Sequence, residues 1–217
     1  MRSNDDTKAI AVVPGPAYRI RTKRLLIRCW HPHDAPMLKE AIDSNLGHLQ
    51  PWMPWASKAN VSLDERISWI RTCRADFDLD RDFVFGIFNP DESEVIGGAG
   101  LHTRQSPDSR EIGIWIQRKY CGLGFGTEVA AALTKVAFLV DKVQRVEIRC
   151  AVENTNSAAI PKKLGFENEA ILKKRVTRPD GSKSDSMVWT MFEDAFAGSI
   201  PYKAEIEAFD VIGRRQI

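Results

Sequence analysis

Three glycines at residues 120–128, Tyr-Cys-Gly-Leu-Gly-Phe-Gly-Thr-Glu, have the types and spacing of an anion-binding turn. The stretch follows an apolar run at 111–116 and precedes a run with helical periodicity. Glycine is costly in ordered structure, so its repeated use implies unusual dihedrals or a group lying against the backbone. Free N–H groups and the helix dipole at a helix start favour phosphate. Gly122, Gly124 and Gly126 therefore predict a pyrophosphate cradle, with a tight turn that binds nothing as the alternative.

Two well-known phosphate loops fit this stretch poorly. A P-loop carries lysine and then serine or threonine after its last glycine, whereas Thr127 and Glu128 follow Gly126 here. The dinucleotide fingerprint has its third glycine three residues after the second, and Thr127 occupies that position. Glu147, in the next predicted strand, leaves a weak match to the acidic residue of that fingerprint.

The predicted helices and strands around the turn indicate a mixed α/β sheet. Only the two strands that flank the helix at 127–140 are expected to be parallel. Ser62 and Glu65 form a capping-box pattern, and Asp34 and Thr127 are the expected caps of two other helices. Residues 45–55, broken by two prolines, are expected to form a loop or short helix. Strands are predicted at 24–30, 83–89, 94–103, 111–117, 145–152, 167–177 and 183–191, and helices at 31–44, 62–80, 127–140 and 156–166.

Composition argues against several classes of protein. Lys and Arg number 31 against 29 Asp and Glu, which gives no reason to expect nucleic acid or an anionic membrane as a partner. The four cysteines are scattered without a Cys-x-x-Cys pair, which favours a reducing compartment and no metal site. Without a signal-peptide pattern or a membrane-length apolar segment, a cytoplasmic protein is expected. The expected organisation is a flexible leader at 1–18, one domain at 19–195 and a C-terminal extension at 196–217 whose role the sequence does not indicate.

The hexapeptide at 121–126 resembles the phosphate loop Arg/Gln-x-x-Gly-x-Gly/Ala of the GNAT superfamily of acetyl-CoA-dependent N-acetyltransferases. Gly124 and Gly126 match that pattern, while Cys121 departs from it, and Arg118 or Lys119 could supply the missing polar contact. Further matching stretches stand in the order expected of the RimJ/RimL branch, at 20–28, 49–55, 94–101, 111–116, 154–166 and 185–191. The resemblance implies a GNAT fold: a mixed, mostly antiparallel sheet of about seven strands, splayed in the middle and flanked by about four helices.

The resemblance also implies acetyl-CoA as cosubstrate, with no metal. Pantetheine would lie like an extra strand against the main chain of Ile114, Trp115 and Ile116. Asn154 would bind the pantetheine amide, with plain helix capping as the alternative use of its side chain. The pyrophosphate would lie on Gly122, Leu123, Gly124, Phe125, Gly126 and Thr127.

The implied reaction is direct attack of an amine on the thioester. Many relatives use a tyrosine as proton donor to the thiolate, but Pro161 occupies that position, which leaves Ser157 as the candidate. The branch acetylates α-amines of ribosomal proteins and of small aminoacyl compounds. At pH 7 an α-amine is roughly a tenth neutral and a lysine far less, so an α-amine needs less help from a base. Glu111 is the candidate base, with a solvated strand-end charge as the alternative. His102, at the end of the preceding strand, is a weaker candidate for the base and a candidate contact of the acceptor, with a structural or exposed histidine as the alternative.

Trp52 and Trp55, on the proline-broken loop, are the candidate walls of the acceptor pocket, or else a hydrophobic plug between the two N-terminal helices. The expected partner is the amine acceptor, a peptide N-terminus or a small molecule, with a homodimer as an option. A non-catalytic CoA-binding module is the alternative function, and the departures at Cys121 and Pro161 keep it open.

Overall fold

The computed structural model describes residues 15–57, 60–178 and 180–217. Within them, a nine-stranded sheet has the order β7-β8-β6-β5-β4-β3-β2-β1-β9. Two of these strands, at the β1–β9 edge, were not predicted, because a three-residue strand is too short to show a period of two. The strands are β1 (Arg19–Arg21), β2 (Leu26–Cys29), β3 (Phe83–Phe88), β4 (Val95–His102), β5 (Ser109–Ile116), β6 (Arg145–Ala151), β7 (Glu167–Thr177), β8 (Lys183–Phe192) and β9 (Glu207–Phe209).

The helices begin and end near the predicted positions. The four predicted helices are α1, α3, α4 and α5, while α2, α6 and α7 are single turns of four residues. The seven helices are α1 (Ala35–Asp43), α2 (Leu46–Leu49), α3 (Leu63–Asp78), α4 (Phe125–Leu139), α5 (Thr155–Leu164), α6 (Glu193–Phe196) and α7 (Ile200–Lys203).

Helix caps show where local sequence rules hold and where they fail. Ser62 and Glu65 form the predicted capping box at α3. The predicted cap Thr127 is wrong: α4 begins two residues earlier, with Gly124 at the N-cap in a left-handed conformation (φ 82°). Asp34 occupies the cap position of α1 but makes no side-chain cap bond there; instead it accepts the His31 N–H at 2.8 Å.

Apolar side chains fill both faces of the sheet. On one face, α4 and α5 cover the central strands; nine α4 residues, Val129–Thr134 and Val136–Phe138, are buried. On the other face, α1 and α3 cover β2 and β3 around the fully buried Trp30 and Phe88. Further along β4 on this second face, Gly98 and Gly100 are buried beneath the side chains of Trp115 and His102.

The β5–β6 pair is the predicted parallel step. The strands pair over Ser109–Ile112 and Arg145–Ile148, after which β5 runs on to Ile116 beside β4 alone. The sheet therefore opens in its middle at residues 113–116.

The C-terminal residues pack on the rest of the chain. Strand β9 pairs with β1, and the Phe196 ring stacks on Phe138 with centroids 4.6 Å apart. At the other end Ala17 is buried and the Tyr18 hydroxyl donates to Asp78 at 2.8 Å. Residues 1–14 of the predicted leader lie outside the described residues.

Within the described ranges, none of the helices has the length and apolar character needed to cross a membrane. The same ranges contain no cluster of three or more His, Cys, Asp or Glu side chains placed to hold a metal ion.

Candidate active site

The opening between β5 and β6 exposes hydrogen-bonding groups of the main chain. Gln117 N–H donates to Ile96 O at 2.9 Å, which fixes which amides of β5 face β4. Because directions alternate along a strand, the amides of Ile114 and Ile116 face the opening, whereas that of Trp115 faces β4. An extended ligand can therefore pair with Ile114 and Ile116 as an added strand. The Trp115 side chain instead lies over Gly98 of the neighbouring strand β4.

The glycine turn lies at the end of this opening. Gly122 and Gly124 have φ of 80° and 82°, a region that residues with a Cβ rarely adopt. A Cβ on Gly126 would lie 3.0 Å from Ile160 Cδ1, so this third glycine allows α4 to pack closely against α5. Within the described chain, the N–H groups of residues 122–127 donate to no protein acceptor. The turn thus fits a pyrophosphate, because six free donors and a helix N-terminus converge where no Cβ intervenes at 122 or 124.

Arg24, which the sequence analysis missed, lies against this turn. Its guanidinium donates to Leu123 O at 3.0 Å and to Glu128 at 2.7 Å, and lies 4.4 Å from the centroid of the Phe125 ring. Thr22 donates to the same Glu128 carboxylate at 2.6 Å. About a hundred residues of chain separate these partners, so no local pattern could reveal the contact.

The residues expected to replace the missing polar contact are held elsewhere. The Lys119 ammonium pairs with Glu94, while Arg118 is held at its backbone, whose N–H donates to Asn45 Oδ1 at 2.8 Å. Cys121 Sγ lies 3.6 Å from Gln117 O and 3.5 Å from His48 Nε2. Burial raises the pKa of the Cys121 thiol although Arg118 opposes the shift, so this thiol is not activated.

Asn154 and Ser157 lie at the start of α5. Asn154 Oδ1 accepts the Ser157 N–H at 3.1 Å, so the asparagine does cap the helix. That bond leaves its amide NH₂ as a donor, and the predicted contact with pantetheine stays a prediction. Burial raises the pKa of Cys150, at the end of β6, and a hydrogen bond from Ser157 partly opposes the shift. The catalytic role of Ser157 stays a prediction.

We call one face of the paired strands β4 and β5 the acceptor face: Gly98, Gly100 and His102 of β4, opposite Trp115, Gly113 and Glu111 of β5. The glycines make room for two flat rings, because the Trp115 indole lies over Gly98 and the His102 imidazole lies over Gly100. Trp55 packs edge-on against Trp115 with centroids 6.1 Å apart.

Trp55 is 45% exposed, while Trp52, on the same loop, is half-buried. The structure thus brings Trp55 and His102 to one face, and Trp115 joins them there.

His102 is oriented by a carboxylate that the sequence did not reveal. Its Nδ1 lies 2.8 Å from Asp82, which also accepts the Thr103 N–H at 3.3 Å. Burial acts to raise the pKa of Asp82, but the hydrogen bond and charge of His102 outweigh it, and the net pKa is lowered. The carboxylate is therefore charged at neutral pH, and the Nδ1–H of His102 donates to it.

Glu111, the predicted base, is surrounded by cationic and amide donors. Gln105 Nε2 donates to it at 3.1 Å, and Arg104 and Arg149 form ion pairs with it at 3.6 and 3.7 Å. Its catalytic role stays a prediction; these donors occupy its carboxylate oxygens in the structure.

Comparison with known proteins agrees with this geometry. Residues 24–167 match the family model described as "Acetyltransferase (GNAT) domain". The chain is 28% identical over 163 residues to a "[Ribosomal protein uS5]-alanine N-acetyltransferase" of Escherichia coli (strain K12), covering 73% of this chain and 82% of the relative.

Two solved structures share the fold. RimL, a "Ribosomal L7/L12 alpha-N-protein acetyltransferase in complex with Coenzyme A", has a TM-score of 0.73 at 20% identity, over 80% of this chain and 97% of its own. The microcin C7 self-immunity acetyltransferase MccE, in complex with acetyl-CoA and AMP, has a TM-score of 0.72 at 19% identity, over 79% and 93%.

The family match spans well over half of the chain and contains the opening, the glycine turn and the acceptor face. The chain therefore belongs to the GNAT acetyltransferase family and is an acetyl-CoA-dependent acyltransferase.

Proposed function

We propose that this protein transfers an acetyl group from acetyl-CoA to the α-amine of a protein N-terminus. The observation that carries the proposal is the unpaired edge of β5 at Ile114 and Ile116, directly beside the acceptor face with His102 and Trp115. The named relative acts on a ribosomal-protein alanine, which supports an N-terminal amine as the acceptor. A ribosomal acceptor also supports the cytoplasm as the place of action.

Residues on one side of the opening would bind acetyl-CoA, and residues on the other side would bind the acceptor. The amides of Ile114 and Ile116 would hold the pantetheine arm as an added strand, and the glycine turn would hold the pyrophosphate. When bound, acetyl-CoA supplies the thioester carbonyl that the amine attacks. Ser157, on the α5 side, would place its O–H near the leaving sulfur, while the amine approaches over the acceptor face.

A small aminoacyl molecule is the second candidate acceptor. Trp55 and Trp115 present aromatic surface at the mouth of the acceptor face, and a flat group can stack there. MccE, with a similar fold, was solved with AMP, but at 19% identity that likeness extends to the fold alone.

The activity is tested by acetyl-CoA turnover, read as thiol release, over a panel of acceptors. We expect release with a decapeptide that has a free N-terminal alanine, and none above background with the same peptide after N-terminal acetylation. Exclusive turnover of aminoacyl nucleotides or polyamines would overturn the protein-acceptor proposal. Acetyl-CoA binding without release on any acceptor would favour a non-catalytic module.

Ser157 has its own test with a neighbouring control. Removing a proton donor in the transition state costs about 10²- to 10⁴-fold in rate, so Ser157→Ala should lower kcat with little change in the Kd of acetyl-CoA. Asn156→Ala, one residue earlier and exposed, should retain full turnover. Undiminished turnover in Ser157→Ala would exclude the serine as the acid.

A further inference from the structure

We propose that His102 is the general base that deprotonates the acceptor amine and that Asp82 is the residue that positions it. The inference deepens the proposed function, on which it rests for the chemical class of acceptor. His102 is the last residue of β4 and Asp82 directly precedes β3, and their side chains meet over the acceptor face.

The imidazole lies at the point where the sheet opens. Ile112 and Ile148 are the last paired residues of β5 and β6, and Gly113 is the first residue beyond them. His102 Nε2 lies 3.3 Å from where a Cβ on Gly113 would be, so the absence of a side chain at 113 places this nitrogen beside the opening. An amine reaching a thioester at that point from the acceptor face would therefore meet Nε2.

The hydrogen bonds of His102 leave the correct nitrogen available. Asp82 accepts from Nδ1 at 2.8 Å, so in the neutral imidazole Nε2 carries the lone pair. Within the described residues Nε2 has no hydrogen-bond partner, although the His102 side chain is only 13% exposed. A carboxylate that fixes the tautomer and orients the ring is the arrangement used by the histidine base of serine hydrolases.

The charges facing His102 favour this assignment over Glu111. Asp82 contacts the ring directly, Glu111 lies opposite it on β5, and Arg104 follows it on the chain after β4. Glu111 is shared among Arg104, Arg149 and Gln105, so cationic groups stand where an ammonium ion would have to approach it. In the part of the chain that the structure describes, no cationic side chain is bonded to Nε2 of His102.

The proton balance of the transfer is complete with these groups. The acceptor ammonium gives one proton to Nε2, and the neutral nitrogen then forms its bond to the carbonyl carbon as the carbon–sulfur bond breaks. The bonding electron pair leaves with sulfur, which takes a proton from Ser157, and the nitrogen's second proton replaces the one that Ser157 gave. The imidazolium returns its proton to solvent.

The test measures kcat/KM against pH for the wild type, His102→Gln and Asp82→Asn, using the amine from the acceptor panel that is turned over fastest. We expect His102→Gln to lose about 10²- to 10⁴-fold in kcat/KM, with an unchanged Kd for acetyl-CoA. In that variant the rate should rise with pH until the free amine itself is neutral. Asp82→Asn should lower the plateau of kcat/KM, because the imidazole is no longer held in the Nδ1–H tautomer that leaves Nε2 free to accept a proton.

Matched variants and one acceptor-free measurement complete the test. His33→Gln and Asp64→Asn change the same residue types at exposed positions away from the site and should leave the pH profile unchanged. Long-range ¹⁵N NMR should show the Nδ1–H tautomer of His102 in the wild type and a mixture in Asp82→Asn. A wild-type pH profile in His102→Gln, or an Nε2–H tautomer in the wild type, would overturn the proposal. Because the NMR measurement needs no acceptor, a wrong acceptor class and a wrong base give different results.

Discussion

At the scale of single residues, the glycines of the phosphate turn serve different purposes. Gly122 and Gly124 have positive φ, and Gly126 allows the Ile160 side chain to approach the backbone. The helix begins at the middle glycine rather than at Thr127, so the unbonded N–H groups of its first turn belong to the glycine turn itself. The left-handed conformations of Gly122 and Gly124 direct the free N–H groups toward a common point.

Gly124→Glu tests whether the free N–H groups of the turn bind the phosphates of acetyl-CoA. Two like charges about 4 Å apart repel by about 4 kcal/mol at an effective dielectric constant of about 20, so we expect the Kd of acetyl-CoA to rise at least about 10-fold. Gly181→Glu is the matched control, since Gly181 has φ of 81° but lies in the β7–β8 turn. Calorimetric titration gives both Kd values. Equal Kd values for Gly124→Glu and wild type would refute the phosphate cradle.

At the scale of elements, the turn between β1 and β2 is fastened to the first turn of α4. Arg24 and Thr22 both bond the Glu128 carboxylate, and Arg24 also holds Leu123 O. Glu128 lies in the first turn of α4, where the helix dipole also favours a negative charge. This contact holds the glycine turn through Leu123 O, and so connects the stability of the fold to the shape of the phosphate site.

Glu128→Gln should weaken both properties. We expect the free energy of unfolding to fall by about 1 kcal/mol, a discounted value because Arg24 is 43% exposed, and acetyl-CoA to bind more weakly. Asp43→Asn, which breaks the exposed Lys39–Asp43 pair on α1, should change stability by less than about 0.5 kcal/mol and leave binding alone. Urea denaturation and calorimetric titration measure the two effects. If Glu128→Gln lost stability but bound acetyl-CoA with the wild-type Kd, the Arg24–Glu128 contact would have no effect on the phosphate site.

At the scale of the whole molecule, charged pairs connect elements distant in sequence, and acid should loosen them. Burial acts to raise the pKa of Glu92, but Arg28 and Arg19 outweigh it and the net pKa is lowered; the pKa of Asp82 is lowered as well. A carboxyl group with a lowered folded-state pKa contributes its full stability above the unfolded-state value, about 4. That contribution disappears as the pH falls further, through the folded-state pKa.

The free energy of unfolding should therefore decline as the pH falls below about 4.5. In Glu92→Gln the decline should be shallower, because one of the responsible carboxyl groups is gone. Asp64→Asn, at an exposed position, should keep the wild-type slope. Denaturant unfolding at a series of pH values measures the slope. A slope in Glu92→Gln as steep as in the wild type would show that the Arg28 contact contributes nothing to acid sensitivity.

The C-terminal residues should be part of the stable unit. Phe196 is 5% exposed and stacks on Phe138 of α4, so Phe196→Ala should cost about 3–5 kcal/mol. Phe192→Ala removes the same ring from a position that is 41% exposed and should cost far less. Thermal unfolding distinguishes the two. Equal losses would indicate that residues 196–217 do not depend on the packing against α4.

The sequence by itself determined what periodicity and glycine chemistry encode locally. Alternation and helical spacing predicted β2 to β8 and the four longer helices, and the ordered motifs indicated the family and acetyl-CoA. Of the three main-chain contacts that the resemblance implied, the amides of Ile114 and Ile116 face the opening, whereas that of Trp115 faces β4. These features depend on neighbours in the chain, where side-chain period and backbone dihedrals act over a few residues.

Only the tertiary structure decided which distant side chains meet. Asp82 beside His102, Arg24 on the glycine turn and the arginines around Glu111 depend on strand register and helix placement, for which a single sequence carries no local signal. The same is true of β1 and β9, which are too short to show a period and form by pairing with each other at the sheet edge. The local sequence pattern thus predicted where the cofactor phosphates would bind. The assignment of the base to His102 rather than Glu111 depends on charged side chains that meet only in the folded sheet.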